Sequence, residues 1–60
     1  MKKRDVERAL RDCGWWPVGG GKHDKWTNGK IATAVPRNNE INEFTARGII
    51  KTARAHPVKK

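Results

Sequence analysis

A chain of 60 residues with 14 Lys and Arg against 6 Asp and Glu carries a net charge of +8; at this length it reads as one domain, residues 1–60, whose folding hides only about 60% of the surface of the open chain. A lone cysteine, Cys13, excludes an internal disulfide and fits a reducing compartment. No apolar run reaches membrane-spanning length and no signal-peptide core follows Met1-Lys2-Lys3-Arg4-Asp5, so a soluble, cytoplasmic protein is expected.

The charge is spread along the chain. Residues 1–13 carry five basic and three acidic groups, residues 14–39 four and one, and residues 40–60 five and two. Such an excess is the electrostatic footprint of a partner for polyanions, because each phosphate neutralised releases condensed counterions. A membrane surface would call for a strongly amphipathic helix with bulky apolar residues, and no segment here has that composition. Nucleic acid or an acidic protein partner follows.

In chain order, residues 3–13 read as a helix. Val6, Ala9, Leu10 and Cys13 recur at helical spacing and form one apolar stripe. Asp5 and Glu7 sit near the positive end of the helix dipole, and Gly14 supplies the left-handed residue that ends many helices. Cys13 reads as a small buried hydrophobe on that stripe, not as a nucleophile. Trp15-Trp16-Pro17-Val18 is a short strand, placed at a sheet edge because Pro17 has no N–H to give to a ladder. Its two tryptophans face opposite ways, one toward the core and one, Trp16, offered as a surface on which a base stacks. Gly19-Gly20-Gly21 then forms a loop without side chains. It matches neither phosphate-loop pattern, and Gly20 and Gly21 read as clearance for a ligand beside the following histidine.

Asn28-Gly29 between two strand-like runs is a hairpin signal. A two-residue Asn28-Gly29 loop would set Trp26 opposite Ile31, Lys25 opposite Ala32, Asp24 opposite Thr33 and His23 opposite Ala34. One face then carries Trp26, Ile31, Val35, Thr33 and Asp24 toward the core. The other projects His23 and Lys25 over a floor of Ala32 and Ala34. Pro36 ends the third strand. Asn42 follows as the N-cap of a second helix, with Glu43 in its first turn and Ile41 stapled to Ala46. That helix runs to Arg54 or Ala55 and turns Ala46, Ile49, Ile50 and Ala53 inward. Gly48, which costs about 1 kcal/mol relative to Ala in a helix interior, reads as a close-packing position against the sheet. Residues 57–60 are expected to fray as a basic tail. The fold class is α+β, in the order α-β-β-β-α, with both helices on one face of a three-stranded antiparallel sheet.

The open face carries the candidate chemistry. Cleavage of RNA without a metal needs a base for the 2′-OH, an acid for the departing 5′-oxygen and positive groups around the phosphorane. His23 suits one of the two proton transfers. Lys22, Lys25, Lys30 and Arg37 supply positive charge. The second proton-transfer group stays open among Lys22, a water and a group from another subunit. Cys13, His23 and His56 have no zinc-ligand spacing, no carboxylates pair on one face and the chain has no serine, so no metal and no cofactor is expected.

Taken together, Gly14-Trp15, Gly20-Gly21-Lys22-His23, Ala34-Val35-Pro36-Arg37 and Glu40-Ile41 leading to Ile49-Ile50-Lys51 resemble the HicA toxins of bacterial HicA–HicB toxin–antitoxin systems, over Val6 to about Ala53. The resemblance implies a fold like a double-stranded-RNA-binding domain, cleavage of mRNA that arrests translation, and neutralisation by a HicB antitoxin that covers the active face in a hetero-oligomer. It places the catalytic histidine at His23. The chain departs from the family pattern at Lys22, where the family often has serine, at Asn38, where it often has a histidine, and at Asp24. The competing reading is a non-catalytic RNA- or DNA-binding module that uses the same basic face.

Overall fold

The computed structural model describes residues 1–58 and runs α1 (Lys3–Asp12), β1 (Trp16–Gly19), β2 (Asp24–Thr27), β3 (Ala32–Val35) and α2 (Glu43–Ala55). The three strands form one antiparallel sheet in the order β1-β2-β3. This is the α+β meander expected from the sequence.

α1 starts at Lys2 without a side-chain cap. Its start is held instead by the chain's own N-terminus, a pairing that no sequence signal announces. The Met1 amino group donates to the Ile41 carbonyl at 3.0 Å, the Ile41 N–H returns to Met1 at 2.7 Å, and Lys3 N–H reaches Asn39 O at 2.9 Å. At the other end the N–H groups of Gly14 and Trp15 donate to the carbonyls of Arg11 and Leu10, with Gly14 at φ +86. That is a Schellman stop, whose hydrophobic partners are Leu10 and Trp15, both buried. α2 is capped as its sequence predicts, the Asn42 side chain accepting from Phe44 N–H at 2.8 Å.

The core is a single cluster of Val6 and Leu10 from α1, Trp15, Trp26 from β2, Val35 from β3, Ile41, and Ala46, Ile49 and Ala53 from α2. Cys13 is partly buried and packs against it, the small-hydrophobe role. Ile50 is only half-buried. Trp26 is the largest buried side chain, and the Arg11 guanidinium carbon stands 5.5 Å from its ring centroid in cation–π geometry.

Four expectations need correction. The hairpin register is displaced by two residues: Asp24 pairs with Val35, Lys25 with Ala34, Trp26 with Thr33 and Thr27 with Ala32. The cause is Asn28, whose carboxamide oxygen accepts from Lys30 N–H (2.8 Å) and Ile31 N–H (2.9 Å), while its own N–H donates to Ile31 O at 3.2 Å. The turn is therefore centred on Gly29-Lys30, with positive φ at Gly29 alone; the type I′ turn expected over Asn28-Gly29 would need it at Asn28 as well. Because the displacement is two residues and not one, every side chain keeps its face. Ile31, however, leaves the core for the turn and is 39% exposed.

The second correction concerns β1, which is displaced by one residue from the expected strand and contains an irregularity between Pro17 and Gly19 that leaves Val18 unpaired and exposed. The third concerns Gly48: a Cβ built there meets nothing within 4 Å, so it does not serve close packing. The fourth is the tail. Val58 N–H donates to Cys13 O at 2.8 Å, and a Cβ on Gly14 would lie 2.8 Å from Val58 Cβ, so the chain is docked as far as Val58. Lys59 and Lys60 lie outside the described residues.

The exposed, contact-free position of Gly48 in α2 makes a direct test. Gly48→Ala should raise stability by about 0.5–1 kcal/mol, which for a domain of this size is a Tm increase of roughly 2–8 °C. Differential scanning calorimetry reads it; a lower Tm would contradict the contact-free position.

Candidate functional site

Alternation along β2 divides the sheet. Asp24 and Trp26 point to the helix side, and Lys25 and Thr27 to the open side. Trp16 stands opposite Thr27 and Gly19 opposite Lys25, so the open face is built from Trp16, Lys25, Thr27, Ala32 and Ala34. Trp15 is the buried tryptophan and Trp16 the one at the surface, 43% exposed. Trp16 is not free-standing, since its Cη2 lies 3.4 Å from where a Cβ on Gly29 would sit. The ring rests on the β2–β3 turn.

His23 is exposed, in the bend that leads into β2 and not in the strand. Lys22 is exposed beside it and Lys25 is exposed two residues on. Lys25 stands over Ala34, so the small floor survives the displaced register. The glycine run works differently from the expectation. A Cβ on Gly20 would overlap the His23 carbonyl oxygen and come within 3.3 Å of Lys25 Cγ, whereas Gly21 meets nothing within 4 Å. Gly20 thus lets the β1–β2 loop fold back onto the main chain of His23 and the stem of Lys25. At Gly20 the clearance is for backbone, and Gly21 borders open space.

Arg37 has a different setting from the other candidate cations. Its Nε donates to Asp24 Oδ1 at 3.2 Å and its Nη2 to the Gly20 carbonyl at 3.1 Å. Asp24 Oδ2 accepts from Lys3 Nζ at 2.7 Å. One carboxylate therefore joins α1, β2 and the segment after β3, and Arg37 extends the cluster to the glycine loop. Two of the Arg37 donors are thus engaged within the fold, and the side chain remains 54% exposed. Lys22, Lys25 and Lys30 make no ion pair among the described residues.

Lys30 sits at the far end of β2 from His23. With Asn28, His56, Pro57 and Val58 it lines a cleft of about 410 Å³. The His56 carbonyl accepts from Trp15 Nε1 and from Asn28 Nδ2, both at 3.0 Å, which pins the end of α2 to the turn. Sequence reasoning leaves His56 in a loose tail. Its place beside the turn depends on where α2 crosses the sheet, which local patterns do not encode. Among the described residues no three His, Cys, Asp or Glu side chains gather as a metal site, and no helix is long and apolar enough to cross a membrane.

The family model described as the HicA toxin of bacterial toxin–antitoxin matches residues 4–55, and the chain belongs to that family. It is therefore the toxin of a toxin–antitoxin pair and has an antitoxin as partner. No curated protein and no solved structure matches the chain.

The Asp24 cluster carries a pH signature. The Lys3 hydrogen bond holds the Asp24 carboxyl below its ordinary value; burial opposes this, and the charges of Lys3 and Arg37 add to it. A carboxyl lowered by folding contributes stability that is complete above the unfolded pKa and is lost as pH falls through the folded one. Asp24→Asn should therefore lower Tm at neutral pH, and the gap to the unsubstituted protein should narrow as the solution is acidified below the ordinary carboxylate range. A gap that stays constant from neutral to acid pH would remove Asp24 from this role.

Proposed function

We propose that the protein is a metal-independent endoribonuclease that cleaves mRNA and arrests translation in the cytoplasm, with His23 as general acid or base. The observation that carries this reading is the exposed His23 between Lys22 and Lys25, at the edge of an open sheet face, in a chain of the HicA toxin family. In the reaction the 2′-oxygen of one ribose attacks the adjacent phosphorus and loses its proton to a base. The bond from phosphorus to the 5′-oxygen breaks, and that oxygen takes a proton from an acid. His23 performs one transfer. Lys22 and Lys25 stabilise the extra negative charge of the phosphorane beside His23, and Lys30, at the far end of β2, holds another phosphate. Trp16 offers a stacking surface for one base. Arg37 acts indirectly, by fixing the loop that precedes His23. A HicB-like antitoxin neutralises the toxin by covering the His23 face and presenting acidic groups to Lys22 and Lys25.

A specific observation favours the second reading, a binding module without catalysis. Among the described residues, the open strand face offers no second imidazole or carboxylate, since Asp24 points to the helix side and is held by Lys3 and Arg37. The two readings part on one substitution. His23→Ala should reduce cleavage of an RNA substrate by about 10²–10⁴-fold and abolish growth arrest in cells that lack the antitoxin, with little loss of RNA affinity. Intact RNA after incubation with the unsubstituted protein, or arrest that persists with His23→Ala, defeats the catalytic reading.

A further inference from the structure

His56 and Lys30 stand together at the turn end of the sheet, where the catalytic reading uses only Lys30. The cleft they line is open, with polar and apolar lining in near-equal share, and among the described residues no acidic side chain contributes to it. Asn28, its third polar member, is engaged through both ends of its carboxamide: the oxygen takes Lys30 and Ile31 N–H, and the nitrogen donates to His56 O. What remains for a ligand is the positive charge of Lys30, the imidazole of His56 and the second N–H of Asn28 Nδ2, with no free amide oxygen. That chemistry suits a phosphate of a nucleic-acid backbone, read without regard to sequence.

The cleft lies at the turn end of the sheet and adjoins the open face there. Trp16 lies against Gly29, and the next residue in the turn is Lys30. A strand of RNA on this face would run from His23 and Lys25, past Trp16 and Thr27, to Lys30 and His56. The path follows β2. From His23 to Asn28 an extended chain covers roughly 17 Å, more than one nucleotide step, so the two ends meet different phosphates of one strand.

We propose that the Lys30–His56 cleft is a second phosphate subsite, which holds the backbone of single-stranded RNA at the end of β2 opposite His23. This rests on the reading of the open face as the RNA-binding face. It makes binding depend on substrate length: a dinucleotide at His23 leaves the subsite empty, whereas a dodecanucleotide fills both ends.

The side chains are separable from the fold at this point. His56 pins the structure through its main-chain carbonyl, which His56→Ala retains, and Lys30 is exposed in the turn. The test uses the full chain with His23→Ala, so that RNA is not consumed, and adds Lys30→Ala and His56→Ala together. Fluorescence anisotropy measures affinity for a dinucleotide and a dodecanucleotide over a range of salt, and a thermal melt of each variant checks that it is folded. The added pair should weaken dodecanucleotide binding roughly three- to tenfold and lower the slope of log K against log salt by about 1. The affinity advantage of the longer RNA should shrink accordingly. An unchanged dodecanucleotide affinity and salt slope in a folded double variant would overturn the subsite and leave the His23 reading intact. If the His23→Ala protein binds neither RNA, the open face is not an RNA face and both fall.

Discussion

The structure depends on how β2 is held. Trp26, in its middle, is driven into the core, and β2 carries a polar pin at each end. At the start, Asp24 is shared by Lys3 of α1 and by Arg37 beyond β3. Just past the end, Asn28 binds the His56 carbonyl at the close of α2. A 60-residue chain cannot cover both faces of a sheet with apolar residues, so the burial of Trp26 on one side commits the other side to solvent. The candidate site is what that commitment leaves exposed.

This explains why the charged groups divide into two kinds. Lys3 and Arg37 converge on Asp24, and their contribution is to the placing of loops and helix. Lys22, Lys25 and Lys30 have no carboxylate partner among the described residues, and they lie along the two ends and the open side of β2. In a protein of net charge +8 the useful distinction is between cations consumed by the fold and cations left for a ligand.

The glycines divide in the same way. Gly14 and Gly20 are required by what surrounds them, since each would collide with another part of the chain if it carried a side chain. Gly29 supplies the positive φ of the turn and meets the edge of Trp16. Gly21 and Gly48 meet nothing. A run of three glycines thus contains two with a conformational reason, Gly19 at φ +82 and Gly20 at φ +153 packed against the His23 main chain, and one, Gly21, without.

Much of this was legible from local pattern. The apolar stripe of α1, the Asn42 cap of α2, the Gly14 stop, the halt at Pro36 and the sidedness of β2 all follow from spacing and from the conformations that Asn, Gly and Pro permit, and these act within a few residues. The face of Lys25 was readable even though the register was displaced by two, because a strand alternates with a period of two. Other features were decided only when distant segments met. The tail at Val58 docks on Gly14, the N-terminus pairs with Ile41, Arg37 is drawn to Asp24, and His56 is carried to the β2–β3 turn. The Arg37–Asp24 pair follows from the hairpin register, which sets Asp24 opposite Val35. The other three depend on the crossing of a helix over the sheet, which is set by how the one-sided core closes around Trp26 and not by any neighbour in the chain.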